Sequence, residues 1–220
     1  MITLAIGLSS KHGSAAVLSG RDVLAEETWD EKTVRGQHVF RILPSLLAKA
    51  AVSIEAVDLF AVGRGPGSYS GMRVAITAAQ GLALPGRKTV YTVSSGEALA
   101  WEFMDSEKAS SVAIVGDARR GTVWFGVFEN AGQGLSQIKP WTVCAPEKLA
   151  AELPPGTLVA SPDWHKLSPV LTAMNLKRVE RDVFPKARFV GQLALRKMEQ
   201  GVPSEALVPI YTQPAVAKPA

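Results

Sequence analysis

The stretch Gly63-Arg64-Gly65-Pro66-Gly67-Ser68-Tyr69-Ser70-Gly71-Met72-Arg73 constrains this chain more than any other, because its glycines and its proline force a tight loop. The loop follows residues 58–63, Asp-Leu-Phe-Ala-Val-Gly, a continuous apolar run that reads as a buried parallel strand. A helix is expected after it, over residues 71–83. A strand, a glycine loop and a helix in that order belong to an α/β protein, and such a loop can point several backbone N–H groups at an anion. No Lys-Ser or Lys-Thr follows the glycines, so this is no Walker loop. Ser68 stands where the third glycine of a dinucleotide fingerprint belongs. Two readings stay open: a phosphate cradle, or a tight turn made by Pro66 and the glycines with Ser70 capping the next helix.

Ahead of the loop, residues 4–8, 14–18 and 23–29 read as three short strands separated by polar turns, the spacing of an antiparallel meander. Over residues 37–51, Val39, Ile42, Leu43, Leu46, Leu47 and Ala50 recur at three- and four-residue steps, the stripe of a helix lying on a sheet. Pro44 inside it predicts a kink or a late start. After the loop helix come a strand at 89–93 and a helix that Ser95 caps, with Glu97 in its first turn, running to about residue 103.

A polar stretch at 105–111 opens a second set. It holds a strand at 112–116, a turn at 117–121 and a strand at 122–128, followed by a strand near Thr142, a short helix at 146–153, a strand at Leu158 and a helix at 187–200. The expected division is a first lobe at 1–104, a second at 105–211 whose last helix packs back on the first, and a frayed tail at 212–220. No sequence repeat is visible, yet each half opens on a β-hairpin, which hints at two related lobes.

The helix at 71–83 is apolar or small on almost every face, and Ala75, Ala78 and Ala79 permit close backbone approach. It is either buried wholly within this chain or shared between the sheet and a second protein. His12, His38 and His165 lie far apart, with no pair at the i, i+4 step of a metal site. No Gly-x-Ser-x-Gly elbow supports a hydrolytic triad. Asp117-Ala118-Arg119-Arg120-Gly121 reads as a hairpin turn with solvated charges, or with Arg119 or Arg120 on an anionic partner. Trp164-His165 reads as packing, and Cys144 as a small buried hydrophobe.

Composition narrows the class further. With 47% hydrophobic and 20% charged residues the chain is ordinary for a globular protein, and a net charge of +4 is too dispersed to name a nucleic-acid partner. A single cysteine excludes an internal disulfide framework and fits a reducing, cytoplasmic setting. Residues 1–8 lack the basic flank of a signal peptide, and the apolar stretch at 72–84 is shorter than the roughly 20 residues a bilayer needs. No membrane association is expected.

Ala5-Ile6-Gly7-Leu8-Ser9, His38-Val39-Phe40-Arg41-Ile42-Leu43-Pro44, the glycine loop, Gln80-Gly81-Leu82-Ala83, Asp117-Ala118-Arg119 and Val208-Pro209-Ile210-Tyr211 together resemble the TsaB (YeaZ) family. The order and spacing agree over residues 1 to about 129 and loosely over 130–205. The resemblance implies an actin-like, hexokinase-like (ASKHA) α/β fold of two ribonuclease-H-type lobes. It implies a non-catalytic scaffold for TsaD, the subunit that threonylcarbamoylates the adenosine next to the anticodon in tRNAs reading A-starting codons. TsaE joins that complex, the lone scaffold pairs with itself as a homodimer, and tRNA is met only through the complex.

Carried onto this chain, the implied contact surface comprises His38, Arg41, Ile42 and Ser45 on the first helix, Gly65, Gly67, Ser68 and Tyr69 in the loop, and Arg73, Ile76, Thr77 and Gln80 on the second helix. No catalytic residue, metal or resident cofactor is expected, although ATP or ADP at the interface with TsaD is compatible with the resemblance. Gly7 stands where family members usually carry an acid, and the histidine pair of TsaD is missing. Both departures weigh against the rival reading, a nucleotide-dependent phosphotransferase or glycoprotease-like hydrolase of the actin-like superfamily.

Overall fold

The computed structural model describes residues 1–30, 38–132 and 134–213, with residue 105 described in its backbone alone. Its elements are β1 (Ile2–Gly7), β2 (His12–Ser19), β3 (Asp22–Asp30), α1 (His38–Lys49), β4 (Leu59–Gly63), α2 (Tyr69–Ala83), β5 (Thr89–Val93) and α3 (Ser95–Ser106). They continue with β6 (Ser111–Arg119), β7 (Thr122–Asn130), β8 (Leu135–Cys144), α4 (Leu149–Glu152), β9 (Leu158–Ser161), α5 (Trp164–Leu171), β10 (Lys177–Asp182) and α6 (Ala187–Glu199). The chain divides into two compact units, residues 1–98 with 185–210, and residues 99–184 with 211–220.

In the first unit the sheet runs β3-β2-β1-β4-β5, with β1, β2 and β3 antiparallel and β1, β4 and β5 parallel. Strand alternation sends the side chains of β1 to opposite faces. Leu4, Ile6 and Leu8 join Val39, Ile42, Leu43 and Leu46 of α1 and Ala75, Ile76 and Ala79 of α2 in one core. On the other face Ala5 and Leu18 lie against Gly191 of α6. Burial on both faces explains why β1 and β4 read as unbroken apolar runs.

The second sheet runs β10-β9-β6-β7-β8. Its three antiparallel strands and two parallel ones repeat the strand order of the first, counted from the other edge. Val112, Ile114, Trp124 and Phe128 face Leu99, Phe103 and Met104 of α3. Ala113, Val115, Phe125 and Val127 face Leu149 of α4 and Leu167 and Leu171 of α5. Two ribonuclease-H-type units of this strand order make the actin-like fold, and the hairpin that opens each half is the part of the repeat that the sequence displays.

Several expectations are corrected. The boundary falls inside α3, between residues 98 and 99, rather than between 104 and 105, and residues 185–210, α6 among them, group with the first unit. Helix α1 starts at His38, ahead of Pro44, and runs to Lys49, so the proline does not mark a late start; its ring sits on the exposed side and costs one backbone hydrogen bond. Gln37, the expected start of that helix, lies outside the described residues, as does 214–220 of the tail. Within the tail, Gln213 Nε2 donates to Thr122 Oγ1 at 3.0 Å. Helix α5 and strand β10 have no counterpart in the sequence reading. The former is short and contains Pro169, and the latter, Lys-Arg-Val-Glu-Arg-Asp, is an edge strand too charged to read as one.

Candidate functional site

The glycine loop packs against the end of β1. Ser68 N donates to Ser9 O at 2.7 Å, and Gly67, at φ +150°, leaves no room for a side chain because a Cβ there would lie 1.9 Å from that same carbonyl oxygen. Ser68, not Ser70, caps α2: its Oγ accepts from Gly71 N at 3.2 Å, and the helix starts at Tyr69 rather than Gly71. Arg64 N donates to Val93 O and Gly65 N to Ser95 Oγ, both at 3.0 Å. Ser95 N and Ser94 Oγ return hydrogen bonds to Gly65 O. The N–H groups of Arg64, Gly65, Ser68 and Gly71 are therefore engaged inside the protein. These bonds fit the tight-turn reading, and four of the amides on which a phosphate cradle could draw are taken up.

The loop instead leads into α2 and caps its start through Ser68. One side of that helix buries Met72, Ala75, Ile76, Ala78, Ala79 and Ala83, and the other presents Tyr69, Arg73, Thr77 and Gln80 at three- and four-residue steps. Leu84, which continues the stripe, is 75% exposed. The Arg73 guanidinium lies 4.0 Å from the centre of the Tyr69 ring, a cation–π contact that stiffens the upper part of this face. On α1, Arg41 and Ser45 point outward, and with them Phe40, 52% exposed, and Pro44. Ser45 Oγ donates to Ile42 O at 2.9 Å.

The expected contact residues thus separate. Arg41, Ser45, Gly67, Ser68, Tyr69, Arg73, Thr77 and Gln80 are exposed. Ile42 and Ile76 are not contact residues: both are 5% exposed or less and lie in the core under the two helices. Gly65 is buried, and half-buried His38 packs its ring on Trp29 at 5.4 Å. Phe40, Pro44 and Leu84, outside the expected set, are exposed beside it. The signal for the first two is their displacement from the 39/42/43/46 stripe, and for Leu84 its place four residues after Gln80.

Behind the loop, an extended strap at residues 202–210 crosses the edge of β5. Tyr91 Oη donates to Val202 O at 2.6 Å, Thr92 N to Ser204 Oγ at 3.1 Å, and Thr92 Oγ1 to Glu205 O at 2.8 Å. Arg64 pins its far end, donating to Val208 O, pairing with Glu205, and accepting Ile210 N at its own carbonyl. Burial lowers the Arg64 pKa, opposed by Glu97, and burial followed by Glu97 raises that of Tyr91. Arg64→Met is expected to accelerate hydrogen exchange at the Thr92 and Ile210 amides about tenfold while leaving β1 unchanged. Unaltered protection at both amides would show that the guanidinium does not hold the strap.

Elsewhere the polar residues serve structure. His165 Nδ1 sits 3.1 Å from Asp182 Oδ1. Half-buried Trp164 packs on the second unit's core, as does Cys144, whose thiol pKa is pushed up by burial and then by Glu152. Among the described residues no three His, Cys, Asp or Glu side chains gather as a metal site, and no helix is long and apolar enough to cross a membrane. In the hairpin at the end of β6, Arg119 and Arg120 take φ of 67° and 51°, left-handed backbone that costs a non-glycine residue about 1 kcal/mol.

Comparison with known proteins gives this geometry a context. The family model described as TsaD, tRNA N6-adenosine threonylcarbamoyltransferase, matches residues 33–195, more than half of the chain. The tRNA threonylcarbamoyladenosine biosynthesis protein TsaB of Haemophilus influenzae is 32% identical over 161 residues, 68% of this chain and 66% of that protein. TsaB of Bacillus subtilis is 31% identical over 143 residues, 64% of this chain and 60% of that protein. These matches span less than two thirds of either relative's length. In three dimensions the chain is similar to YeaZ from Pseudomonas aeruginosa, with a TM-score of 0.81 at 26% identity, covering 96% of this chain and 100% of that one.

Proposed function

Because the chain belongs to the TsaB (YeaZ) family, within the wider family that the TsaD model describes, we propose that it takes part in threonylcarbamoyladenosine synthesis on tRNA as the non-catalytic partner of a TsaD subunit. The observation that carries this reading is the exposed stripe of α2, Tyr69, Arg73, Thr77, Gln80 and Leu84, whose last member leaves a leucine three-quarters in water. Such a face of aromatic, cationic, polar and apolar side chains along one helix suits another protein better than a small molecule. The exposed side of α1, with Phe40 and Arg41, supplies further contact area.

In this proposal the chain holds TsaD in the form that modifies the adenosine next to the anticodon in tRNAs reading A-starting codons. TsaE joins the pair, ATP or ADP is accommodated at the interface with TsaD, and without TsaD the same stripe closes on a second copy of this chain. The setting is the cytoplasm. Gly7 supports a non-catalytic role: it ends β1 where an actin-like ATPase would place a carboxylate, and it supplies none, although a Cβ there would meet Ser14 Oγ at 3.5 Å and Pro185 O at 3.7 Å, ordinary contact distances.

Light scattering on the chain alone and mixed with its own organism's TsaD tests the proposal. A self-paired species that exchanges into a mixed complex is expected. Thr77→Glu, at an exposed helical position where glutamate is the better helix former, should leave the melting temperature unchanged and weaken both associations tenfold or more. A chain that ignores TsaD would overturn the proposal.

A further inference from the structure

We propose that the tip of the β6–β7 hairpin, Arg119 and Arg120, is a contact site for the phosphodiester backbone of the RNA on which the complex acts, an inference that rests on the function proposed above. The tip is framed before any ligand arrives. Asp117 Oδ1 accepts Arg119 N at 2.7 Å, Thr122 Oγ1 donates to Arg119 O at 2.8 Å, and Gln213 Nε2 donates to the same hydroxyl. On the other side Asp117 N donates to Asp163 Oδ2 at 3.0 Å, and Lys166 Nζ reaches Asp117 Oδ2 at 3.3 Å. The carboxylates beside the tip are thus taken up by backbone amides and a lysine. Both arginines are exposed, and neither guanidinium is bonded to any of the described residues.

The backbone at the tip does not call for arginine. Arg119 pairs with Thr122 across the ladder, which leaves Arg120 and Gly121 as a two-residue turn, and all three of Arg119, Arg120 and Gly121 have positive φ. Asn-Gly in the turn and glycine before it would adopt this conformation with less strain. Two guanidiniums held out on a strained, rigid support have little backbone freedom left to lose on binding, and each offers a planar fork of donors that fits phosphate oxygens. A phosphodiester chain presents regularly spaced anions to such a pair without asking for a shaped pocket, whereas an acidic protein surface would have to match its geometry residue by residue.

The experiment uses the complex of this chain with its TsaD and the double variant Arg119→Gly, Arg120→Asn. The variant should fold at least as well as the natural chain, with a melting temperature unchanged or raised by up to about 4 °C, and should join TsaD with unchanged affinity. Affinity of the complex for unmodified tRNA should fall about tenfold at low salt, and the slope of log affinity against log salt should become shallower by about 1.5, the signature of two lost phosphate contacts. Unchanged tRNA affinity and slope in the variant complex would overturn the inference, as would a natural chain that adds nothing to the tRNA affinity of TsaD alone. Weakened joining to TsaD with an unaltered tRNA slope would overturn it in favour of an acidic protein surface. Failure of the natural chain to join TsaD, visible before RNA is added, would overturn both this inference and the function it rests on.

Discussion

Ile76→Glu is expected to unfold the first unit rather than to break a contact between proteins. Ile76 is 4% exposed and shares its cluster with Leu4, Ile6, Val62 and the alanines of α2. A carboxylate there has no cation within the cluster, and an unpaired buried charge costs about 3–5 kcal/mol. Domains of this size have only about 5–15 kcal/mol to lose. The melting temperature should fall on the order of 10 °C, or the chain should fail to accumulate in soluble form. Ile76→Val, which removes one methylene, should cost about 1 kcal/mol and leave partner binding intact. A glutamate variant that melted normally and no longer bound TsaD would mean that residue 76 faces the partner after all. Thr77→Glu, one residue on and exposed, separates the two effects, because it adds the same charge about 100° round the helix, at a position open to solvent.

That contrast also shows where the sequence was legible. In α1 the buried stripe Val39, Ile42, Leu43 and Leu46 stands out because Arg41, Ser45 and Lys49 interrupt it. The same stripe, read strictly, already places Ile42 inside. In α2 almost every residue is small or apolar, so periodicity has no contrast to work with, and the inward and outward faces emerge only once β1 and β4 are in place beneath it. The glycine loop was visible as a loop, yet its role was not. What favours a turn over an anion site is that Ser9, Ser95 and Val93, distant in sequence, accept three of its amides. The strap at 202–210 carries no helical or alternating pattern, since its bonds run to single groups on Tyr91, Thr92 and Arg64 rather than along a ladder. The repeat of strand order is a property of backbone pairing that two unrelated sets of apolar residues satisfy equally well, which is why hairpin starts hinted at it and the sequences themselves did not.

Two glycines of α2 should respond in opposite directions to the same substitution. A Cβ on Gly71 would lie 1.9 Å from Leu8 O and 3.1 Å from Ser68 Oγ, so it meets the backbone at the end of β1 and the hydroxyl that caps the helix. Neither neighbour is the free end of a flexible side chain. To make room, the first turn of α2 must lift from β1, which strains the hydrogen bond from Ser68 N to Ser9 O and the cap on Gly71 N. Alanine in a helix is intrinsically better than glycine by about 1 kcal/mol, but the clash and the weakened cap outweigh it. Gly71→Ala should therefore lose about 2–3 kcal/mol of stability. Gly81 lies on the exposed side of the same helix, where an added methyl group would have nothing within 4 Å, and Gly81→Ala should gain up to about 1 kcal/mol. Urea titration of the two variants beside the natural chain reads both signs at once. Equal stability of the two would show that α2 is not seated on β1 through Gly71. If the seat is real, Gly71→Ala also displaces Tyr69 and Arg73, and its affinity for TsaD should fall under conditions in which the chain is still fully folded, because the turn that must lift is the one that presents those two side chains.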